Sequence, residues 1–138
     1  MRILAIDYGE KRIGLAMGDS ANKIAFPRGI LQNSPRIFEE IKDFCRKESI
    51  DKIVVGLPLS LSGQDSAQTK ATRSFIESLG QNINIPIVEL DERLTSVEAR
   101  KIVHGDKKPR TRASTVRGRD IDDIAASLLL GQYFQVKK

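Results

Sequence analysis

Tryptophan is absent, histidine and cysteine occur once each, and aromatic residues make up only 5% of the 138-residue chain. The single cysteine, Cys45, excludes an internal disulfide framework and a cysteine-based zinc cluster. One histidine, His104, with no nucleophile motif around it, gives no support to a Ser-His-Asp hydrolase, and near a helix end it reads as structural. So few aromatics argue against a stacking platform for single-stranded nucleic acid. No apolar run approaches the roughly 18 residues that a membrane span needs. The opening Met1-Arg2-Ile3-Leu4-Ala5-Ile6-Asp7 is too short in its apolar part for a secretion signal. The expectation is a cytoplasmic protein with no membrane partner.

What is present is an ordinary globular composition, 40% hydrophobic and 30% charged, in a length that suits one domain over residues 1–138. The net charge of +5 is unevenly spread. Residues 100–119 hold eight cations (Arg100, Lys101, Lys107, Lys108, Arg110, Arg112, Arg117 and Arg119) against one acid, Asp106, which makes that stretch +7 and leaves −2 for the rest. A concentrated basic segment suggests a polyanionic partner, although a solvated loop would look the same.

Hydrophobic periodicity divides the chain into nine elements. Residues 3–7 are a short apolar run ending in an acid, the mark of a buried strand. Ile13–Gly18 alternates large and small residues as a second strand, and residues 24–31 give a third, with Pro27 indicating an edge or a break. Ser34-Pro35 reads as a cap and first helical position, followed by Ile37, Phe38, Ile41, Phe44 and Cys45 at helical spacing. Cys45 therefore belongs to a core face. Strands follow at 52–58 and 85–91, with a helix between them over residues 67–79, stopped at Gly80. Thr95-Ser96-Val97-Glu98 has capping-box spacing for a third helix, residues 104–119 read as a loop, and the last helix begins at Ile121. The order β-β-β-α-β-α-β-α-α implies a five-stranded mixed sheet flanked by helices, an α/β arrangement that matches the ribonuclease H-like fold.

Three groups of carboxylates stand out. Asp7 ends a strand that belongs mid-sheet, and charge at such a place needs a partner or a metal; Gly9 beside it lets the chain turn and a ligand approach. Asp91 and Glu92 end the fifth strand, and since strand neighbours point to opposite faces, at most one shares a site with Asp7. Asp120, Asp122 and Asp123 open the last helix, where a first-turn acid also serves the helix dipole. Carboxyl ends of strands are where sites form in open α/β sheets. Converging carboxylates bind hard cations such as Mg²⁺, and two such ions can clamp a phosphoryl displacement. Carboxylates with a +7 segment beside them describe a nuclease. The segment Gly56–Gly63 lacks the Lys-Ser/Thr ending of a P-loop.

At these residues the sequence resembles the YqgF/RuvX family of pre-16S rRNA nucleases and Holliday junction resolvases. The resemblance is carried by Ile6-Asp7-Tyr8-Gly9-Glu10-Lys11-Arg12-Ile13-Gly14-Leu15-Ala16, by Val54-Val55-Gly56-Leu57-Pro58-Leu59, by Asp91-Glu92-Arg93-Leu94-Thr95-Ser96-Val97-Glu98-Ala99 and by Asp122-Asp123-Ile124-Ala125-Ala126. It implies a ribonuclease H-like nuclease that uses Mg²⁺ or Mn²⁺, with Asp7, Glu92 and Asp122 as catalytic residues and metal ligands. The basic segment supplies Lys107, Lys108, Arg110, Arg112, Arg117 and Arg119 as the expected nucleic-acid contacts, and its Arg117-Gly118-Arg119 looks like the family's basic approach to the last helix. Related resolvases carry an acid on the fourth strand, where this chain has Gly56-Leu57-Pro58. The implied function is processing of the 5′ end of pre-16S rRNA during ribosome biogenesis. The alternatives are resolution of four-way DNA junctions, which favours a homodimer, and a non-catalytic nucleic-acid-binding module. An actin-like ATPase needs two related domains, and the chain has room for one.

Overall fold

The computed structural model describes residues 1–58, 66–91 and 118–136, with only the backbone of 118–123 and 136. Five strands, β1 (Arg2–Asp7), β2 (Arg12–Asp19), β3 (Ile24–Gln32), β4 (Lys52–Leu57) and β5 (Ile87–Asp91), form one sheet in the order β3-β2-β1-β4-β5. β1 to β3 are antiparallel, whereas β4 runs parallel to β1 and β5 parallel to β4. The short apolar run at the start of the chain thus lies in the middle of the sheet, paired on both sides, as a run without alternation should. Pro27 lies on the edge strand, beside a register shift between Gly14 and Ala16, where its missing N–H breaks no central ladder.

The pleat sorts side chains to two faces. Leu4, Ile6, Ile13, Leu15, Ile53 and Val55 face helices α1 (Ile37–Glu48) and α2 (Ala67–Asn82), closing a core with Ile37, Ile41, Cys45, Phe75 and Leu79. Ile3, Ala5, Ala16 and Val54 face helix α3 (Gly118–Val136), whose Ala126, Leu129, Leu130, Tyr133 and Phe134 make one buried stripe at helical spacing. Cys45 lies in the first core as its spacing required, and burial pushes its thiol up to about 11.

Element ends depart from the sequence expectations in ways that local chemistry explains. Ser34 does not cap α1 directly. Its hydroxyl accepts the Arg36 N–H at 3.2 Å, which makes a turn ahead of a helix starting at Ile37. Gly80 does not stop α2, which continues to Asn82. A helix-interior glycine costs only about 1 kcal/mol relative to alanine, and Asn82 Nδ2 donates to the Ser78 carbonyl at 2.8 Å in the final turn. β5 begins at Ile87, although the Pro86 carbonyl already accepts the Ile53 N–H at 2.9 Å. α3 begins at Gly118, three residues before the expected start, so Arg119 belongs to a helix and not to the loop expected over 104–119. The helix expected from Thr95 lies outside the described residues.

Candidate active site at the carboxyl edge of the sheet

β1 delivers Asp7 to the carboxyl edge of the sheet, where it is half-buried. Ile3 and Ala5 face α3, so Asp7, in phase with them, belongs to the α3 face. Its lateral neighbour on β2 is Gly14. On the other side the β1–β4 register pairs Ile6 with Val55, which puts Gly56 next in line. The carboxylate is thus flanked on its own face by two residues without side chains. Neither neighbour has a side chain to set against it.

The turn after Asp7 is held from a distance. A Cβ on Gly9 would run into the Arg12 carbonyl oxygen, so only glycine fits there. Asn33, just beyond β3, donates from Nδ2 to the Gly9 carbonyl at 3.0 Å and to the Glu10 carbonyl at 3.2 Å. Its own N–H donates to the Lys11 carbonyl at 3.0 Å. Sequence reading missed Asn33: it is separated from Gly9 by 24 positions, and no local pattern announces it.

Helix α3 runs antiparallel to β1. Lys52, at the amino end of β4, approaches the Tyr133 hydroxyl with Nζ at 3.2 Å. Gly18, paired with Ile3 at the amino end of β1, lies under Leu130 and Phe134: a Cβ there would come within 3.1 Å of both. The later turns of α3 therefore cover the amino ends of the strands, and its earlier turns run toward the edge that carries Asp7.

The remaining sequence expectations divide as follows. Asp91 ends β5 in register with Leu57, in phase with Ile87, which packs on the α1/α2 core. Its face is therefore opposite to that of Asp7, whereas Val88 and Leu90 belong to the α3 face. Glu92, His104, Lys107, Lys108, Arg110, Arg112 and Arg117 lie outside the described residues. Arg119, Asp120, Asp122 and Asp123 are in α3, described in backbone only. Among the described residues, no group of three or more His, Cys, Asp or Glu could hold a metal ion. Asp7 is the one described member of the expected set. A carboxylate at the carboxyl end of a central strand is the kind of oxygen donor that a hard cation takes.

Composition argued against a stacking platform, yet the few aromatics are grouped. The Tyr8 ring lies 4.6 Å from that of Phe75, which lies 5.6 Å from that of Phe38. Rarity in the whole chain said nothing about this grouping.

A family model described as RuvX, Holliday junction resolvase, matches residues 1–136. A protein of Maridesulfovibrio salexigens named "Putative pre-16S rRNA nuclease" is 36% identical over 132 residues, covering 94% of this chain and 95% of its own. One of the same name from Clostridium acetobutylicum is 38% identical over 138 residues, covering 96% and 97%. Among solved structures, T. thermophilus RuvC in complex with a Holliday junction substrate superposes with a TM-score of 0.59 at 13% identity, covering 99% of this chain and 95% of that one. The fowlpox virus Holliday junction resolvase gives 0.55 at 17% identity, covering 99% of both chains. These two likenesses concern the fold, which is ribonuclease H-like: a five-stranded mixed sheet with helices on both faces. The family match spans every described element, and the relatives agree over nearly their whole lengths, so this chain belongs to the RuvX family.

Proposed function

We propose that this protein is a metal-dependent endonuclease that trims the 5′ end of pre-16S rRNA in the cytoplasm, acting as one unit over residues 1–138. The observation that carries the proposal is Asp7: a carboxylate ending the central strand, between two glycines, on the face that α3 covers. Asp7, Glu92 and Asp122 would hold Mg²⁺ or Mn²⁺. Two regularities support the second and third members. Asp91 faces away from Asp7, and in an extended strand the next position returns to the Asp7 face, which favours Glu92. From Ile3 to Asp7 the strand rises about 13 Å. From Leu130, which packs over that amino end, back to position 122, the helix covers about 12 Å. Positions 122 and 123 continue the stripe of Ala126, Leu129 and Leu130, whereas 120 does not. A helix starting at Gly118 also puts 122 beyond the first turn, where a dipole-stabilising role fades.

Bound there, the cation supplies an activated water and neutralises charge on the leaving oxygen. The chain's own residues hold the substrate. Lys107, Lys108, Arg110, Arg112, Arg117 and Arg119 would take the phosphates on either side of the cut, where each neutralised phosphate releases counterions and makes binding salt-dependent. The family description favours one second reading, cleavage of four-way DNA junctions, and the two-fold character of such a junction would suit a homodimer.

The test is cleavage of a 5′-extended pre-16S rRNA fragment, with a four-way DNA junction in parallel, in Mg²⁺ or Mn²⁺. Wild type should cut the RNA at a defined position, and Asp7→Asn should bind without cutting. Cutting of the junction alone would establish the second reading. Binding without cutting by wild type would leave a binding module, and equal cutting by both proteins would remove Asp7 from the mechanism.

A further inference from the structure

A cavity of about 440 Å³ opens beside the site, lined by Tyr8, Glu10, Ala67, Gln68 and Ala71. Its size is within the roughly 300–1,000 Å³ range of small-molecule sites. Tyr8 follows Asp7 directly, but packs against the α1/α2 core and not toward α3. The carboxyl edge of β1 therefore separates two environments: a carboxylate on one face and an aromatic-lined cavity on the other, with Cα atoms about 3.8 Å apart.

The lining defines what the cavity accepts. None of its described lining residues is a cation, and Glu10 brings a negative charge, so the described side chains do not select for phosphate. Tyr8 offers an aromatic surface that is already ordered. The ring rests on Phe75, itself buried and stacked on Phe38, and the turn that follows Tyr8 is clamped by Asn33. Ala67 and Ala71 keep the α2 side low, while Gln68 contributes an amide with both donors and an acceptor. The matching occupant is planar, uncharged and apolar on its faces, with hydrogen-bonding groups along its edge. We propose that the cavity receives one unstacked nucleobase of the strand whose phosphodiester lies at Asp7, with Tyr8 stacking on the base and Gln68 reading its edge.

The inference rests on the nuclease reading and makes it more specific: the substrate is a single-stranded or locally opened segment, cut beside a base that has left its stack. A ring held in place by two others loses little freedom when the base arrives, which is what a stacking platform requires.

The test is fluorescence of a pre-16S rRNA fragment carrying 2-aminopurine at one position at a time across the cleavage region. Binding is measured in EDTA so that nothing is cut. Wild type and Asp7→Asn should quench one position strongly, and an abasic residue there should weaken binding about 10-fold, in keeping with the ~1–3 kcal/mol of one base–aromatic stack. Tyr8→Phe should keep the quench. Tyr8→Leu should lose it and bind intact and abasic RNA alike. Ala71→Leu, which fills the cavity from an exposed helix position and leaves the Tyr8 ring in place, should do the same and serves if Tyr8→Leu does not fold. Quenching that survives Ala71→Leu, or wild-type binding indifferent to abasic substitution at every position, overturns the cavity assignment and leaves the nuclease reading standing. A wild type that neither binds nor cuts the RNA overturns both.

Discussion

The two faces of the central sheet are built to different rules. Toward α1 and α2 the strands present Leu4, Ile6, Ile13, Leu15, Ile53 and Val55, all large and all buried. Toward α3 the same strands present Ala5, Gly14, Ala16, Gly18 and Gly56, with Ile3 and Val54 as the bulkier exceptions. The first face is thick and makes the larger core. The second is thin, so a helix can lie close over it and a carboxylate can end a central strand without being crowded. Stability and chemistry are thus divided between alternate residues of one strand.

The sharpest way to break that division is Asp7→Asn on the thin face. It should remove essentially all metal-dependent cutting while leaving the chain folded, as far-UV circular dichroism would show. Ile6→Ala, one residue away on the thick face, should do the reverse. It should cost about 2–5 kcal/mol in urea unfolding, with per-molecule cutting by the folded fraction retained. Gly18→Val tests whether thinness matters. Its side chain would press on the Ile24 carbonyl oxygen, Leu130 and Phe134. A loss of about 1–3 kcal/mol is expected, together with weaker cutting as α3 is displaced. If stability falls and cutting does not, the close seating of α3 is structural only.

Cys45 gives a pH signature to the thick face alone. Its thiol stays neutral to about 11 in the folded chain, against 9.0 for an unburied thiol. Its contribution is therefore fully present below pH 9 and is lost as pH rises toward 11, by at most about 3 kcal/mol. Thermal melts across that window should flatten in Cys45→Ala. The smallest effect belongs to Gly80, which faces neither core: a Cβ there would meet only Ile87 Cδ1, at 3.9 Å. Gly80→Ala should stabilise by about 0.5–1 kcal/mol, measured by urea unfolding, with cutting unchanged.

Much of this was readable from the sequence because it is written locally. A run of apolar residues ending in Asp7 announces a buried strand with a carboxylate at its tip, and the spacing of Ile37, Ile41 and Cys45 announces a core-facing helix. What escaped depends on partners far along the chain. Gly80 looked like a helix end because glycine commonly is one, and α2 continues through it for two residues, its last turn supplemented by Asn82. Asn33 is an unremarkable residue until β3 brings it against the turn at Gly9. The aromatic group of Tyr8, Phe38 and Phe75 draws on a turn and two helices, so no window of sequence contains it. The early start of α3 escaped because residues 118–120 carry no apolar periodicity of their own.

The antiparallel course of α3 also sets a condition on biosynthesis. The helix that covers the face of Asp7 is encoded more than a hundred codons after it. A nascent chain with β1 to β5 complete still has an uncovered row of small residues beside that carboxylate. The topology therefore leaves the Asp7 face of the sheet without its covering helix until translation has passed α3.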